Sequence, residues 1–130
     1  MPAIDALSHV SLTVTDPERS AGFYNRVLGT ETVFSSDGET GRLVIVARPG
    51  VMIALRDHPE TRDERFDPAR IGLDHLAFHV PSQPELEAWQ ARLLAEGVTC
   101  SDIERSPFGL HLNLKDPDNI AIELFVSQPA

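Results

Sequence analysis

Cysteine is almost absent from this chain of 130 residues. Cys100 stands alone, so no internal disulfide can form, and a reduced thiol in a cytoplasmic protein is the simplest expectation. Cationic residues are scarce as well: 11 Lys and Arg face 20 Asp and Glu, for a net charge of −9. Binding phosphate needs a cationic face, so nucleic acid is not an expected partner, and an anionic membrane surface is disfavoured on the same ground. No apolar stretch approaches the ~20 residues of a membrane span. The opening Met1-Pro2-Ala3-Ile4-Asp5 has no basic segment followed by an apolar run, so no secretory signal is read there. Low-complexity tracts are missing too. What remains is ordinary for a globular protein, with 42% hydrophobic and 24% charged residues. The length suits one domain that buries ~65–70% of its unfolded surface.

Against this plain background the chain repeats itself. Leu7-Ser8-His9-Val10-Ser11-Leu12-Thr13-Val14 returns 66 positions later as Leu73-Asp74-His75-Leu76-Ala77-Phe78-His79-Val80. Phe23 answers to Trp89 and Leu28 to Leu94 at the same offset. A duplication of this kind makes two similar structural units and brings equivalent residues near a pseudo-twofold axis.

Each copy reads as strand, helix, then three strands. Residues 9–14 alternate polar and apolar, as a half-buried strand does. Asp16-Pro17 supplies an N-cap and a first helical residue, Ala21, Tyr24, Val27 and Leu28 recur at helical spacing, and Gly29 closes the helix. Strands are predicted at 31–35, 42–47 and 51–56, separated by Ser36-Asp37-Gly38 and Arg48-Pro49-Gly50. Residues 57–72 are polar and carry Pro59, Pro68 and Gly72, which suits a connection between units. The second copy predicts a strand at 74–80, a helix from about 85 to 96 closed by Gly97, and strands at 98–104, 111–114 and 120–126. Asp116-Pro117-Asp118-Asn119 forms the last turn.

Aligning the copies sets Ala54 opposite Glu123 and makes His9, His75, Ala54 and Glu123 the four symmetry-related places. Three of them can bind a metal. Glu123 lies between Ile122 and Leu124, where a carboxylate costs several kcal/mol unless it is paired or metal-bound. His9, His75 and Glu123 therefore make a 2-His-1-carboxylate set. Such a set suits Fe(II) first, with Mn, Ni, Zn and Co as other candidates, and leaves open positions for substrate and co-substrate.

The residues Ser8-His9-Val10, Asp16, Phe23-Tyr24 and Val27-Leu28-Gly29, then Asp74-His75-Leu76-Ala77-Phe78, Asp116-Pro117-Asp118-Asn119 and Ile122-Glu123-Leu124, together resemble the vicinal oxygen chelate superfamily. This is the glyoxalase, bleomycin-resistance and extradiol-dioxygenase group, and the resemblance runs from about residue 4 to 126. It implies an α+β glyoxalase-like fold of two fused βαβββ modules whose mixed curved sheets form a metal-binding cup. Module one covers about 4–56 and module two about 73–126, within a single domain spanning 1–130. The resemblance implies that His9, His75 and Glu123 are the metal ligands. Ala54 falls where glyoxalase I-like members supply a fourth donor, which counts against a four-ligand enzyme of that type. Extradiol dioxygenases share the ligand trio, but they carry a tyrosine where this chain has Asn113 and a histidine near the Glu104-Arg105-Ser106 stretch. Fosfomycin-modifying members carry a basic residue past the glutamate, and none follows Glu123 here.

Around the ligands, His79 and His111 are the candidate catalytic acid/base residues, since a histidine beside a metal-bound substrate is a natural proton shuttle. The bland alternative is that they line the cup or pair with Asp and Glu. Asn113, Ser11 and Arg56 are candidate substrate contacts, Arg56 for an anionic group. Cys100 reads as a small buried residue rather than a nucleophile. The expectation is a divalent-metal enzyme whose small substrate chelates the ion through adjacent oxygens, with dioxygenase-like or enolate-type isomerase or lyase chemistry. The contrasting expectation is a non-catalytic module that sequesters a drug or metabolite. Analogy to the family implies a homodimer, with the site formed within one chain or across two.

Overall fold

The computed structural model describes residues 1–128 of the chain. These fall into two compact units, residues 1–63 and 64 onward, and the boundary lies inside the polar connection. Among the described residues no helix is long and apolar enough to cross a membrane.

The first unit runs β1 (Val10–Thr13), α1 (Pro17–Leu28), β2 (Glu31–Gly38), β3 (Gly41–Arg48) and β4 (Val51–Arg56). Its sheet has the order β1-β4-β3-β2, with β1 parallel to β4 and the other pairs antiparallel. Helix α1 starts where the sequence places it. The Asp16 carboxylate accepts from the backbone N–H groups of Glu18 and Arg19, Pro17 fills the first position, and Gly29 closes the helix at φ 72°. Its apolar stripe of Ala21, Tyr24, Val27 and Leu28 is buried, and α1 packs on β3 and β4, whose Val44, Val46, Ile53 and Leu55 are buried too. The strands β2 and β3 are longer than predicted. Ser36-Asp37-Gly38 is not a separator but the end of β2, because Gly38 pairs with Gly41 across a two-residue turn. Gly41, at φ 104°, has no room for a Cβ, which would meet the carbonyl oxygen of Asp57.

The second unit repeats the plan with β5 (Leu76–His79), α2 (Gln83–Ala95), β6 (Glu104–Ser106), β7 (Gly109–Lys115) and β8 (Ala121–Ser127). Its sheet order, β5-β8-β7-β6, matches the first strand for strand. The ladders show the duplication directly. Ser11 pairs with Ala54 in β1/β4 as Ala77 pairs with Glu123 in β5/β8, and Ile45 faces Ala54 as Asn113 faces Glu123. Leu112, Leu114, Ile122 and Leu124 are buried with Leu86 and Leu93 of α2, which packs on β7 and β8.

Four further predicted elements need correction. The strand predicted at 98–104 survives only as β6 and an isolated bridge between Cys100 and Leu114. The Ser101 hydroxyl accepts from the Asn113 N–H at 2.9 Å, so a side chain takes a place the ladder would have used. The helix predicted from about 85 begins at Gln83, capped by Ser82, whose hydroxyl accepts from the Glu85 N–H. The strands predicted to contain His9 and His75 begin one residue after each, at Val10 and Leu76, where the parallel ladders start. Both histidines thus stand at the mouths of their sheets. The last turn is a tight knot: Asp116 Oδ1 accepts from the N–H groups of Asp118 and Ile120, and Asn119 takes φ 69°. Phe66 of the connection bonds to this turn through Asp118 and Asn119.

Candidate functional site

Strand alternation and register set the faces of the two sheets. In the second unit one face carries the core leucines and isoleucine against α2. The opposite face carries Ala77, His79, Glu123, Phe125, His111 and Asn113, since His79 and His111 both pair with Phe125, and Ala77 and Asn113 with Glu123. The structure therefore places His79, His111 and Asn113 on the sheet face of Glu123, as expected.

His75 and Glu123 come together. The Nε2 atom of His75 stands 3.8 Å from Oε2 of Glu123, whose side chain is only 16% exposed. On the other side of the ring, Nδ1 of His75 is 2.7 Å from Oδ1 of Asp74. A carboxylate can only accept, so Nδ1 donates its proton to Asp74, and Nε2 is the ring nitrogen that faces Glu123. His9 is arranged alike, with Nδ1 2.9 Å from the Ser8 hydroxyl and Nε2 left over. Tethering one imidazole nitrogen to orient the other is how proteins prepare a histidine to bind a metal. Sequence reasoning passed over Ser8 and Asp74. The signal was a polar residue directly ahead of each repeated histidine.

The donor chemistry suits an ion. Donors held about 2.0–2.2 Å from a shared ion lie between ~3 and ~4.4 Å from one another, and the His75–Glu123 separation falls in that range. Among the described residues Glu123 makes no hydrogen bond, and its partner there is the His75 imidazole. Such a carboxylate, mostly withdrawn from water, is under-compensated without a further cation. Among the described residues no group of three or more His, Cys, Asp or Glu side chains is gathered closely enough to hold an ion, so the observed donors are this pair.

His9 lies in the first unit. There it shares a cavity of about 300 Å³ with Ser11, Ala54, Arg56 and three apolar side chains of β3 and β4. His111 takes the bland option in part, since its Nε2 stands 3.5 Å from Oε2 of Glu104, its neighbour across β6 and β7. His58 is exposed in the connection. Burial first, and Asp102 second, push the Cys100 thiol up, which leaves it protonated and unsuited to attack.

Comparison with known proteins now decides the family. Residues 6–124 match the model of the Glyoxalase/Bleomycin resistance protein/Dioxygenase superfamily. The chain belongs to this superfamily. A glyoxylase/bleomycin resistance protein/dioxygenase domain from Frankia sp. EAN1pec is 33% identical with a TM-score of 0.89, covering 98% of this chain and 96% of that one. A catechol-2,3-dioxygenase of Bacillus subtilis (strain 168) is 28% identical over 125 residues, which span 95% of this chain but 42% of that enzyme. This chain is thus less than half the length of that relative. A mutant of the fosfomycin resistance protein FosX from Listeria monocytogenes, solved with Mn(II) and 1S,2S-dihydroxypropylphosphonic acid, shares the fold. It has a TM-score of 0.72 at 20% identity, covering 97% of this chain and 95% of that one.

Proposed function

We propose that this member of the superfamily is a divalent-metal-dependent enzyme in which His9, His75 and Glu123 hold the ion. Its small substrate chelates the ion through adjacent oxygens. The observation that carries the reading is the half-buried Glu123 carboxylate facing the Nε2 atom of a His75 ring that Asp74 holds in place. Fe(II) fits the donor set first, and Mn, Ni, Zn and Co are the other candidates. When bound, such an ion supplies Lewis acidity to the oxygens of a substrate, in a dioxygenase-like or an enolate-type isomerase or lyase reaction.

The chain's own residues then have distinct tasks. Asp74 and Ser8 fix the two imidazoles so that little reorganisation accompanies binding. Ala54, in the register place of Glu123, contributes no donor and leaves that flank to substrate. His79 and His111, on the face of Glu123, are the groups to take and return a proton, with Glu104 orienting the imidazole of His111. Asn113 offers an amide to a polar group of the substrate, and Ser11 a hydroxyl.

Calorimetry tests the reading with catechol as a bidentate oxygen probe, titrated into the full chain before and after loading with Mn(II). Saturable catechol binding is expected only after loading. Equal binding by the chelator-treated and loaded protein would instead favour the sequestering, bleomycin-resistance-like alternative.

A further inference from the structure

Besides Ala54 and Glu123, the duplicated sheets differ in charge at the end of β4. Arg56 pairs with Thr13 at the end of β4, and the equivalent place beside His79 in the second unit is taken by Phe125. In a chain of net charge −9, a cation is readily neutralised. Arg42 is, by Glu18 and Asp37, and Arg48 donates to the carbonyl oxygen of Leu28. Arg56 pairs with no carboxylate among the described residues. Its neighbour Asp57 turns away and accepts from the N–H of Arg42 at 2.7 Å.

Instead, Arg56 lines the cavity of the first unit beside Leu43, Ile45 and Met52, with Ser11 and His9 further along. An apolar wall lowers the local dielectric and strengthens any ion pair the guanidinium makes, and the planar fork matches an oxyanion in two-point contact. Arg56 lies opposite Thr13, four positions along the strand from His9, a distance of ~13 Å at 3.3 Å per residue. A group bound to Arg56 is therefore well removed from one bound near His9.

We infer that Arg56 is the subsite for a carboxylate or other oxyanion carried on an apolar stem, so that the substrate is an organic acid whose charged end lies away from its chelating oxygens. The position of the chelating end rests on the proposed metal function, whereas the anion subsite stands on the first unit alone.

The test uses the full chain stripped of metal by a chelator. Hexanoate, hexylphosphonate and the uncharged hexan-1-ol are titrated while amide shifts are followed by NMR. Saturable shifts are expected for the two anions at residues around Arg56, with hexan-1-ol at least about tenfold weaker. Which anion binds more tightly identifies the head group. Arg56→Gln should weaken anion binding at least about tenfold and Arg56→Lys by less, because a lysine keeps the charge but not the fork. The spectra themselves report whether each variant is folded. Anion and alcohol binding alike, no binding of either, or anion binding untouched in Arg56→Gln would overturn the subsite. Failure of the Mn(II)-dependent catechol binding alone would overturn the metal reading and leave this subsite standing.

Discussion

His75→Ala is expected to lose stoichiometric divalent-metal binding while the protein stays folded. The imidazole sits ahead of β5 rather than inside it, and its side chain is 45% exposed, so no core contact is lost with it. Its contact with Glu123, at 3.8 Å, is worth at most about 1 kcal/mol at such exposure. The metal affinity is another matter. Loss of an orienting partner alone typically costs about 10–100-fold. That range is the expectation for Asp74→Asn, which leaves the ring but removes the carboxylate that fixes its proton on Nδ1. His75→Ala removes the donor and should exceed it. Glu123→Gln supplies the opposite sign in the metal-free protein. Without an ion the half-buried carboxylate faces only His75, so replacing it by a neutral amide should leave stability unchanged or raise it slightly while metal binding falls. Calorimetric titration with Mn(II), with urea unfolding in chelator, measures both quantities. Equal Mn(II) affinity in wild type and His75→Ala would remove His75 from the ligand set.

Gly109→Ala is expected to be among the most destabilising single changes the chain can carry. Gly109 opens β7 at φ 151°, and a Cβ built there would lie 1.9 Å from the carbonyl oxygen of Val126 in the neighbouring strand. The obstacle is backbone, so relief requires β7 and β8 to part at the Gly109–Ser127 pair. A disallowed φ and a broken ladder end together cost on the order of 3 kcal/mol or more. A shift of that size lowers the melting temperature by roughly 10 °C in a chain of this length. Gly22→Ala makes the natural control. Gly22 is exposed in α1 with nothing within 4 Å of an added Cβ, so alanine there should stabilise by about 0.5–1 kcal/mol. If both variants melt alike, the close approach at Gly109 is not a constraint on the fold.

Much of the fold is visible in the chain because local and periodic signals agree. Asp16-Pro17 and Gly29 bound α1 in the sequence and in space, and the 66-residue echo predicts the matching ladders that set Ala54 and Glu123 in equivalent places. What escaped was decided by side chains competing with backbone. Residues 98–104 look like a strand by composition, yet the hydroxyl of Ser101 binds the Asn113 N–H and the ladder shrinks to a bridge at Cys100. Glu104 carries no pattern that reveals its partnership with His111, because that pairing depends on where β6 finally registers against β7. The candidate site was legible as residue types at repeated positions. The tethers Ser8 and Asp74 were not, since a polar residue before a strand has many commoner uses.

The central claim is that this chain carries a divalent metal. Elemental analysis of the full protein, purified without chelator and again after stripping and reloading with Fe(II), tests it most directly. Wild type is expected to hold about one divalent ion tightly per chain, with a marked loss in the His9→Ala, His75→Ala and Glu123→Gln variants. Wild-type protein holding no more metal than those variants after reloading would contradict it.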